Sequence, residues 1–335
     1  MDVRRPYGIP AVEFPANNQV PQEAIEEGLL LESRNPGMTA LLETVERAAA
    51  GDSTILVTGE SGTGKDVLAR QIHRWSPRRD GPFVVLNCTT LAEQLLENEL
   101  FGHVRGAFTG AIDDKPGRLE AGNGGTVLFD EIAELTPSLQ AKFLWFVQEQ
   151  SFERIGSSRT ITVNVRIIAA SNRNLEVEVA AGRFREDLYY RLNVIAFRLP
   201  PLRERTLDIL PLAEWMLRQA SLKAHRAEFR LSPEAAEAFA NYRWPGNVRE
   251  LRNALEHAIA LARTEILTLS DLPDSFYRSA SSMFLRSPRG TALRDREREY
   301  ILRVMGESPT LAAAAATLGI DTTTLWRKRK RYGIG

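Results

Sequence analysis

The stretch STILVTGESGTGKD, residues 53–66, decides the fold of this 335-residue chain. Its first six residues form an apolar run typical of a buried strand, and the glycine-rich sequence GESGTGK, residues 59–65, follows directly. The spacing G-x-x-x-x-G-K between a strand and a helix predicts a P-loop, whose backbone N–H groups surround a phosphate while the lysine reaches its oxygens. The alternative is a glycine-rich turn without a ligand, and the strand before and helix after disfavour it. The predicted phosphate-binding residues are Gly59, Glu60, Ser61, Gly62, Thr63, Gly64, Lys65 and Asp66.

An acidic pair downstream completes the predicted site. Asp66 stands where most P-loops carry a Ser or Thr hydroxyl for Mg²⁺, so another group must hold the metal. The run TVLFDE, residues 126–131, is an apolar strand that ends in Asp130 and Glu131. We expect Asp130 to hold Mg²⁺ and Glu131 to polarise an attacking water. Such a pair is often only a solvated loop start, but about 65 residues after a P-loop it predicts hydrolysis of a nucleoside triphosphate.

The rest of the chain indicates an α/β domain followed by helices. Further β-rich runs at residues 83–87, 126–129 and 165–170 alternate with helical patterns, which predicts a mostly parallel sheet. From Pro211 to about Arg263 the apolar spacing is helical and no strand pattern appears. The predicted organisation is a flexible segment at 1–24, an α/β subdomain at 25–210, a helical lid at 211–272, a linker at 273–293 and a small helical domain at 294–335.

Composition narrows the class of protein. Lys and Arg total 43 and Asp and Glu total 43, which would weigh against a nucleic-acid partner. The charges are unevenly placed, however, because the last 46 residues hold nine basic and five acidic side chains. A single cysteine, Cys88, forms no internal disulfide, and no apolar run approaches the roughly 20 residues that span a bilayer. We therefore expect a cytoplasmic protein with a basic C-terminal region and no membrane partner.

The hexapeptide GAFTGA, residues 106–111, carries a specific resemblance. It lies between the P-loop and the acidic pair, and its terminal glycines free the loop to move. A flexible surface loop with one exposed Phe is the alternative. The hexapeptide, with ELFGH before it, resembles the loop by which AAA+ bacterial enhancer-binding proteins of the NtrC type contact sigma-54. The resemblance implies sigma-54 contacts through Gly106, Ala107, Phe108, Thr109, Gly110 and Ala111.

Other segments from about residue 25 to residue 335 share the resemblance. The form GESGTGK is typical of these activators, which usually carry Glu at the position of Asp66. The resemblance implies that Asn87 hydrogen-bonds Glu131 and switches it with nucleotide state, and that Asn172 is the polar sensor I residue.

Two further segments imply residues that act on the nucleotide. The sequence GRFREDLYYRLNV, residues 182–194, resembles the segment with two arginine fingers, here Arg185 and Arg191. Supplied by a neighbouring subunit, such guanidinium groups neutralise charge on the γ-phosphate. Without this context, an amphipathic helix with solvated arginines would be favoured. The sequence WPGNVREL, residues 244–251, resembles the sensor II motif, in which we expect Asn247 to cap a helix and Arg249 to face the nucleotide.

The C-terminal sequence predicts a DNA-binding unit. Residues 311–329 are typical of helix, turn, helix, with Gly319 in the turn and Asp321 or Thr322 as the cap of the second helix. The preceding segment, residues 294–305, supplies another helix with a packing or dimer face formed by Tyr300, Ile301, Val304 and Met305. A basic run alone is usually a solvated tail, but these helices resemble the Fis-type DNA-binding domain of the same activators. The predicted DNA contacts are Thr323, Thr324, Arg327, Lys328, Lys330 and Arg331.

The resemblance as a whole implies a sigma-54-dependent transcriptional activator with an AAA+ P-loop NTPase fold. It implies ATP and Mg²⁺ as cofactors, a homo-oligomer ranging from a dimer to a hexameric or heptameric ring, and sigma-54 RNA polymerase holoenzyme and upstream enhancer DNA as partners. The segments IHRWS and RKRKRYG, residues 72–76 and 327–333, are most similar to response regulators of alginate synthesis.

The sequence is compatible with two origins of its short N-terminal segment and with two alternative functions. Only about 24 residues precede the predicted ATPase, so a receiver domain is either naturally missing or removed by truncation. A DNA-binding repressor whose ATPase controls only oligomerisation and an AAA+ remodeller of other proteins are the alternative functions. The intact loop at residues 106–111 disfavours the repressor, and the C-terminal helices would be foreign to the remodeller.

Overall fold

The computed structural model describes residues 33–89, 92–224, 227–273, 293–308 and 310–332. The predicted flexible segment 1–24 and nearly all of the predicted linker 273–293 lie outside these ranges. The chain divides into two units, residues 1–273 and 274–335, and each is described by itself.

A five-stranded parallel sheet forms the centre of the first unit. Its strands are β1 (Ile55–Thr58), β2 (Phe83–Asn87), β5 (Thr126–Asp130), β8 (Arg166–Ser171) and β9 (Ile195–Arg198), in the order β2-β5-β8-β1-β9. The first four agree with the predicted strands to within two residues, which confirms the parallel α/β fold. The edge strand β9 was not predicted, because only one of its four residues is buried and it therefore lacks a continuous apolar run.

Helices cover both faces of this sheet. The helices are α1 (Pro36–Ala49), α2 (Lys65–Arg74), α3 (Glu93–Phe101), α4 (Arg118–Ala121), α5 (Pro137–Glu149), α6 (Leu175–Ala180) and α7 (Glu186–Leu192). Successive residues of β5 point to opposite faces: Val127 and Phe129 join one hydrophobic cluster and Leu128 joins the other. Because both faces are buried, the strands are apolar throughout instead of alternating with polar residues.

Two short hairpin-like pairs extend from this core. The strands β3 (Gly102–His103) and β4 (Lys115–Pro116) form one antiparallel pair, and β6 (Ser151–Glu153) and β7 (Thr160–Thr162) form the other. An isolated bridge joins His103 to Ile155, so the two pairs are in contact.

Residues 209–272 form a smaller helical part of the same unit. It contains α8 (Ile209–Ala224), β10 (Arg230–Leu231), α9 (Pro233–Asn241), α10 (Asn247–Leu261) and β11 (Ile266–Leu267). The prediction of no strand before Arg263 was wrong for β10, because a two-residue strand leaves no periodic pattern. Trp244 is fully buried here, and its indole N–H donates to the Phe239 carbonyl oxygen at 3.0 Å.

The second unit is a three-helix domain. It consists of α11 (Leu293–Glu307), α12 (Leu311–Thr317) and α13 (Thr322–Tyr332). Its core residues are Ile301, Val304, Ala314, Ala315 and Leu325. Gly319 takes the left-handed φ of 65° in the turn, and Asp321 caps α13, both as predicted. Of the four residues expected on a packing or dimer face, Ile301 and Val304 are buried in this core and Met305 packs against it, whereas Tyr300 is 52% exposed.

The part of the chain that the structure describes contains no helix that is both long and apolar enough to cross a membrane.

Phe143 on α5 tests the core beneath the sheet. It is fully buried, and the centroid of its ring lies 4.4 Å from that of Phe129 and 6.0 Å from that of Phe146. Phe143→Ala should lower the free energy of unfolding by about 3–5 kcal/mol because it removes apolar contacts and leaves a cavity. Urea titration followed by circular dichroism measures this. The exposed Gln148→Ala on the same helix should change it by less than about 0.5 kcal/mol, and an equal effect of the two variants would contradict the assigned core.

Candidate functional site

The P-loop, residues 59–65, connects β1 to α2 at the carboxyl edge of the sheet. Gly64 caps α2 in a left-handed conformation with φ 97°, so the helix begins at Lys65. The Lys65 side chain is 6% exposed, and its Nζ donates to the carbonyl oxygens of Gly59 at 3.1 Å and Glu60 at 3.4 Å. The same atom lies 3.6 Å from Glu131 Oε1. The structure therefore brings the predicted lysine and the predicted acidic pair together.

The acidic pair follows directly from the register of the sheet. Asp130 is the last residue of β5, and burial raises the pKa of its carboxyl, with Glu131 adding to the rise and Lys65 opposing it. Glu131 leaves the strand with φ 54° and ψ 50°, a left-handed conformation that is uncommon for a residue with a side chain. Its Oε2 accepts a hydrogen bond from the Asn172 N–H at 2.9 Å. Two carboxylates and one ammonium therefore share a single edge of the sheet.

Asn87 was predicted to hydrogen-bond Glu131, and Asn172 to be the sensor I residue. Asn172 reaches Glu131 through its backbone N–H and not through its side chain. The predicted Asn87–Glu131 hydrogen bond is not made among the described residues. The Asn87 side-chain oxygen instead accepts from the Thr89 N–H at 2.8 Å and from its hydroxyl at 2.6 Å. The side chain thus follows the local turn after β2 instead of crossing to the neighbouring strand.

The helical part of the unit packs directly on the P-loop. The Val248 N–H donates to the Gly62 carbonyl oxygen at 2.9 Å. A Cβ at Gly62 would overlap the Gly246 carbonyl oxygen, so only glycine permits this approach. Arg249 donates from Nη1 to the Ser61 hydroxyl at 2.8 Å. The structure therefore places the predicted sensor II arginine against the phosphate loop.

Asn247 does not cap α10, which corrects the prediction. Gly246 is the capping position, and Asn247 itself is fully buried with φ 52°. Its side-chain oxygen accepts from the Leu202 N–H at 2.8 Å, and its side-chain nitrogen donates to the Ser61 carbonyl at 3.0 Å and to Glu60 Oε2 at 3.2 Å. Asn247 therefore joins the start of α10 to two other segments, the P-loop and the turn at Leu202.

Two arginines at the P-loop were not found from the sequence. Arg203 donates two hydrogen bonds to Glu60, at 2.7 and 2.6 Å, and together with Asn247 it holds the pKa of Glu60 down at about 2, against an opposing effect of burial. Arg205 is 2% exposed and donates to the Thr63 carbonyl oxygen at 3.0 Å. Both follow the unpredicted strand β9, so no motif marked them. The two arginines therefore hold the P-loop at Glu60 and at Thr63.

The loop at residues 106–111 projects from the base formed by β3 and β4. The Gly106 N–H donates to the Ala111 carbonyl oxygen at 2.9 Å, and both terminal glycines have positive φ, 81° for Gly106 and 104° for Gly110. Phe108 is 45% exposed, and its ring meets His103 edge-on with 4.9 Å between centroids. The loop is therefore a closed turn that presents a partly exposed aromatic ring.

The base of this loop is fixed by the second hairpin. The Val104 N–H donates to the Ile155 carbonyl oxygen at 3.1 Å, and the Ile155 N–H donates to the Gly102 carbonyl oxygen at 2.9 Å. Arg154 forms a two-point ion pair with Glu120 at 2.7 and 2.6 Å, which holds the hairpin against α4. The base of the loop is therefore bonded to the second hairpin, which is in turn ion-paired to α4.

The two predicted finger arginines are both exposed. Arg185 is the N-cap residue of α7 and has an extended backbone conformation. The Arg185 guanidinium pairs with Asp187 at 2.7 Å, and its backbone N–H donates to Gln140 Oε1 at 2.8 Å. Arg191 lies in the last turn of α7. Both guanidinium groups therefore lie on the surface of the unit.

The predicted DNA-contacting residues divide into two groups on α13. Thr323, Arg327, Lys330 and Arg331 are exposed. Two others have partners within the domain: Thr324 donates from its hydroxyl to Asp321 at 2.6 Å, and Lys328 donates to Glu297. The exposed residues leave a basic surface on one side of the helix.

Three family comparisons cover almost the whole described chain. Residues 31–198 match the Sigma-54 interaction domain, residues 203–286 the AAA+ ATPase lid domain, and residues 292–332 the bacterial regulatory protein Fis family.

Individual relatives agree with these matches. The alginate biosynthesis transcriptional regulatory protein AlgB of Pseudomonas aeruginosa is 49% identical over 312 residues, which are 93% of this chain and 69% of AlgB. The Nif-specific regulatory protein of Azotobacter vinelandii is 52% identical over 233 residues, 70% of this chain and 44% of that protein. Among solved structures, NtrX from Brucella abortus in complex with ATP has a TM-score of 0.68 and 34% identity, covering 91% of this chain and 69% of NtrX.

The reactivity of the buried Cys88 thiol reports on the packing beside the acidic pair. It follows β2, its N–H donates to the Asp130 carbonyl oxygen at 3.0 Å, and burial, reinforced by Asp130 and Glu131, raises the pKa of its thiol to about 12. At pH 8 the folded protein should react with a disulfide reagent about a hundredfold or more slowly than a free thiol, because the thiolate is the nucleophile. In urea the same thiol should react at once, which is the control. Rapid stoichiometric labelling of the folded protein would contradict the assigned burial.

Proposed function

Because this chain belongs to the family of sigma-54-dependent transcriptional activators with an AAA+ ATPase domain, we propose that its ATP hydrolysis moves the loop at residues 106–111. That movement remodels the closed complex of sigma-54 RNA polymerase holoenzyme into the open complex, while the second unit binds upstream enhancer DNA. One observation carries the proposal: the loop that presents Phe108 is built on the same unit as the paired Lys65 and Glu131. As a DNA-dependent regulator, the protein acts in the bacterial cytoplasm.

ATP is the proposed substrate, and the P-loop binds its phosphates. The structure of NtrX in complex with ATP and a second one in complex with ADP support this choice. Backbone N–H groups of residues 59–64 and the N-terminus of α2 surround the phosphates, and Lys65 exchanges its contacts with the Gly59 and Glu60 carbonyls for phosphate oxygens. Arg249, already at Ser61, completes the binding site from the helical lid.

Mg²⁺ is the proposed metal, and the carboxylates fit it. Among the described residues no group of three or more His, Cys, Asp or Glu side chains is placed to hold a metal by itself. Mg²⁺ needs only one or two carboxylates, since waters and substrate phosphates complete its shell. Asp130 would hold it, and the pKa of this carboxyl is raised by burial and by the neighbouring Glu131 carboxylate. The negative charge of Asp66 also raises the Asp130 pKa, so a cation at this site would be attracted by all three acids. When bound, the ion neutralises charge on the phosphate oxygens.

Glu131 is the proposed base for the attacking water. The Asn172 N–H holds one of its carboxylate oxygens, while Lys65 lies near the other. We assign to Asn87 the role of a switch that leaves Thr89 for Glu131 in one nucleotide state. Its present hydrogen bonds to Thr89 are local, and in the sheet Asn87 is paired with Asp130, the residue before Glu131.

Ring assembly would complete the catalytic site. Arg185 and Arg191 lie on the surface, where their guanidinium groups can reach the nucleotide bound by a neighbouring copy. The ion pair with Asp187 orients the Arg185 guanidinium. A hexameric or heptameric ring, formed from dimers, is the proposed active assembly. The boundaries proposed for its parts are 25–210 for the α/β subdomain, 211–272 for the lid and 294–335 for the DNA-binding domain, joined by a linker at 273–293.

Open-complex formation on a sigma-54 promoter tests the whole proposal. Permanganate footprinting of melted DNA should require this protein, hydrolysable ATP and the sigma-54 holoenzyme together. A non-hydrolysable ATP analogue and a holoenzyme with another sigma factor are the controls. Melting without ATP hydrolysis, or its failure with all components present and ATPase activity intact, would contradict the proposal.

Phe108→Ala should separate ATP hydrolysis from polymerase remodelling. The ring of Phe108 packs on His103 only at the base of the loop, so ATPase activity should stay within about twofold. Open-complex formation should fall by about thirtyfold or more, the effect of losing a central aromatic contact. Val177→Ala, at another exposed apolar residue, is the matched control and should preserve both activities. Normal promoter melting by Phe108→Ala would remove the role assigned to the loop.

Mixed assemblies test whether Arg185 acts on a neighbouring subunit. Arg185→Ala alone should lower ATP turnover by about a thousandfold, and Lys65→Ala alone should abolish nucleotide binding. Mixing the two should restore measurable hydrolysis, because Lys65→Ala subunits still supply an intact Arg185. Arg183→Ala, at another exposed arginine two residues away that pairs with Glu178, should retain turnover. No recovery in mixed assemblies of confirmed composition would contradict the proposed trans arrangement.

A further inference from the structure

The exposed face of α13 contains a residue that the predicted DNA contacts omit. At about 100° per residue, Leu325 and Tyr332 lie on one side of the helix, where Leu325 is fully buried in the domain core. The opposite side presents residues within an arc of about 100°. These residues are Thr323, Trp326, Arg327 and Lys330.

Trp326 is the largest side chain of this face and lies at one edge of the arc, next to Lys330. Its side chain is 55% exposed and does not belong to the hydrophobic cluster of the domain. The Lys330 ammonium lies 5.5 Å from the centre of its ring, a cation–π contact that fixes the indole on the helix surface. More than half of this ring is open to solvent. Because Trp joins a large apolar surface to a polar N–H group, it is enriched at interaction surfaces.

Two neighbouring side chains on α13 have hydrogen-bond partners within the domain. The Thr324 hydroxyl caps the helix by bonding Asp321, and Lys328 bonds Glu297 on α11. Neither side chain lies within the arc that holds Trp326. Two of the six predicted DNA contacts are therefore occupied within the domain, and Trp326 lies among those that remain exposed.

We propose that Trp326 is a specificity-determining residue that reads the 5-methyl group of a thymine in the major groove, with Lys330 on its ring directed to the adjacent phosphate. This inference rests on the DNA binding proposed above. The thymine methyl is the largest apolar group that a base edge presents in the major groove, and it is therefore the natural partner of an indole face.

Charge favours DNA over a second copy of the same face. Arg327, Lys330 and Arg331 are exposed on the same helix, and the Lys330 ammonium lies over the indole. Two such faces would repel each other, whereas the phosphates on both sides of a major groove would attract them. The cations position the helix on the duplex, and the neutral indole contributes sequence preference without adding a phosphate contact.

Replacing thymine by uracil, which lacks the 5-methyl group, tests the proposal. The full chain first selects a duplex from a random-sequence pool, and each thymine of that duplex is then changed to uracil in turn. At one or two positions per half-site the change should weaken binding of the unaltered protein about fourfold, the effect of one buried methyl group. Trp326→Ala should bind the parent duplex about tenfold more weakly, because it loses recognition of one base pair, and should not respond to uracil at those positions.

Salt dependence provides the matched control. Trp326→Ala removes no charge, so the slope of log affinity against log salt should stay unchanged. Arg327→Ala should reduce that slope by about one and keep the uracil response. Trp326→Phe, which retains an aromatic face, should keep part of the uracil response. Circular dichroism verifies that each variant is folded.

The outcomes separate this inference from the proposed function. If the unaltered protein selects no sequence, the DNA-binding function itself is wrong. If it selects a sequence but no uracil change weakens binding, or if Trp326→Ala responds to uracil as the unaltered protein does, only the role of Trp326 is overturned. Loss of dimerisation in Trp326→Ala with an unchanged uracil response would assign the residue to an interface between copies, which also overturns the proposal.

Discussion

The charge balance around Lys65 is the constraint on which the first unit depends. An ammonium that is 6% exposed needs nearby oxygens, and it has two P-loop carbonyls and the Glu131 carboxylate. Breaking such a buried group of charges costs about 3–5 kcal/mol when one partner is lost. The parallel sheet meets the requirement, because it places the ends of β1, β5 and β8 at one edge. The site therefore follows from strand order as much as from the motif.

The lid is connected to this charge balance through the P-loop and not through the sheet. Asn247 touches Ser61, Glu60 and Leu202, and Gly62 accepts a hydrogen bond from Val248. Glu60 is in turn held by Arg203, which keeps its carboxyl ionised far below neutral pH. A change in the conformation of the P-loop would therefore alter the hydrogen bonds that position the lid helix α10. The loop at residues 106–111 is connected differently, through backbone bonds to the hairpin around Ile155.

The sequence predicted the elements whose signal is local. The strand before the P-loop, the apolar strand before Asp130 and the turn at Gly319 each lie within a few residues of the feature that identifies them. The edge strand β9 and the pair β10–β11 escaped prediction because they are short and only partly buried. Arg203 and Arg205 escaped with them, since their role depends on a P-loop about 140 residues earlier in the chain.

The sequence by itself determined the family, the α/β ATPase fold and the identity of the lysine and the acids, because glycine spacing and apolar strands encode these locally. Only the tertiary structure decided which groups meet. It turned Asn87 to Thr89, joined Asn172 to Glu131 through the backbone, and moved Asn247 from a helix cap to the P-loop. On α13 it bound Lys328 to Glu297 and left Trp326 exposed. The physical reason is that a polar side chain takes the nearest satisfying partner, and the fold, not the motif, decides which partner is nearest.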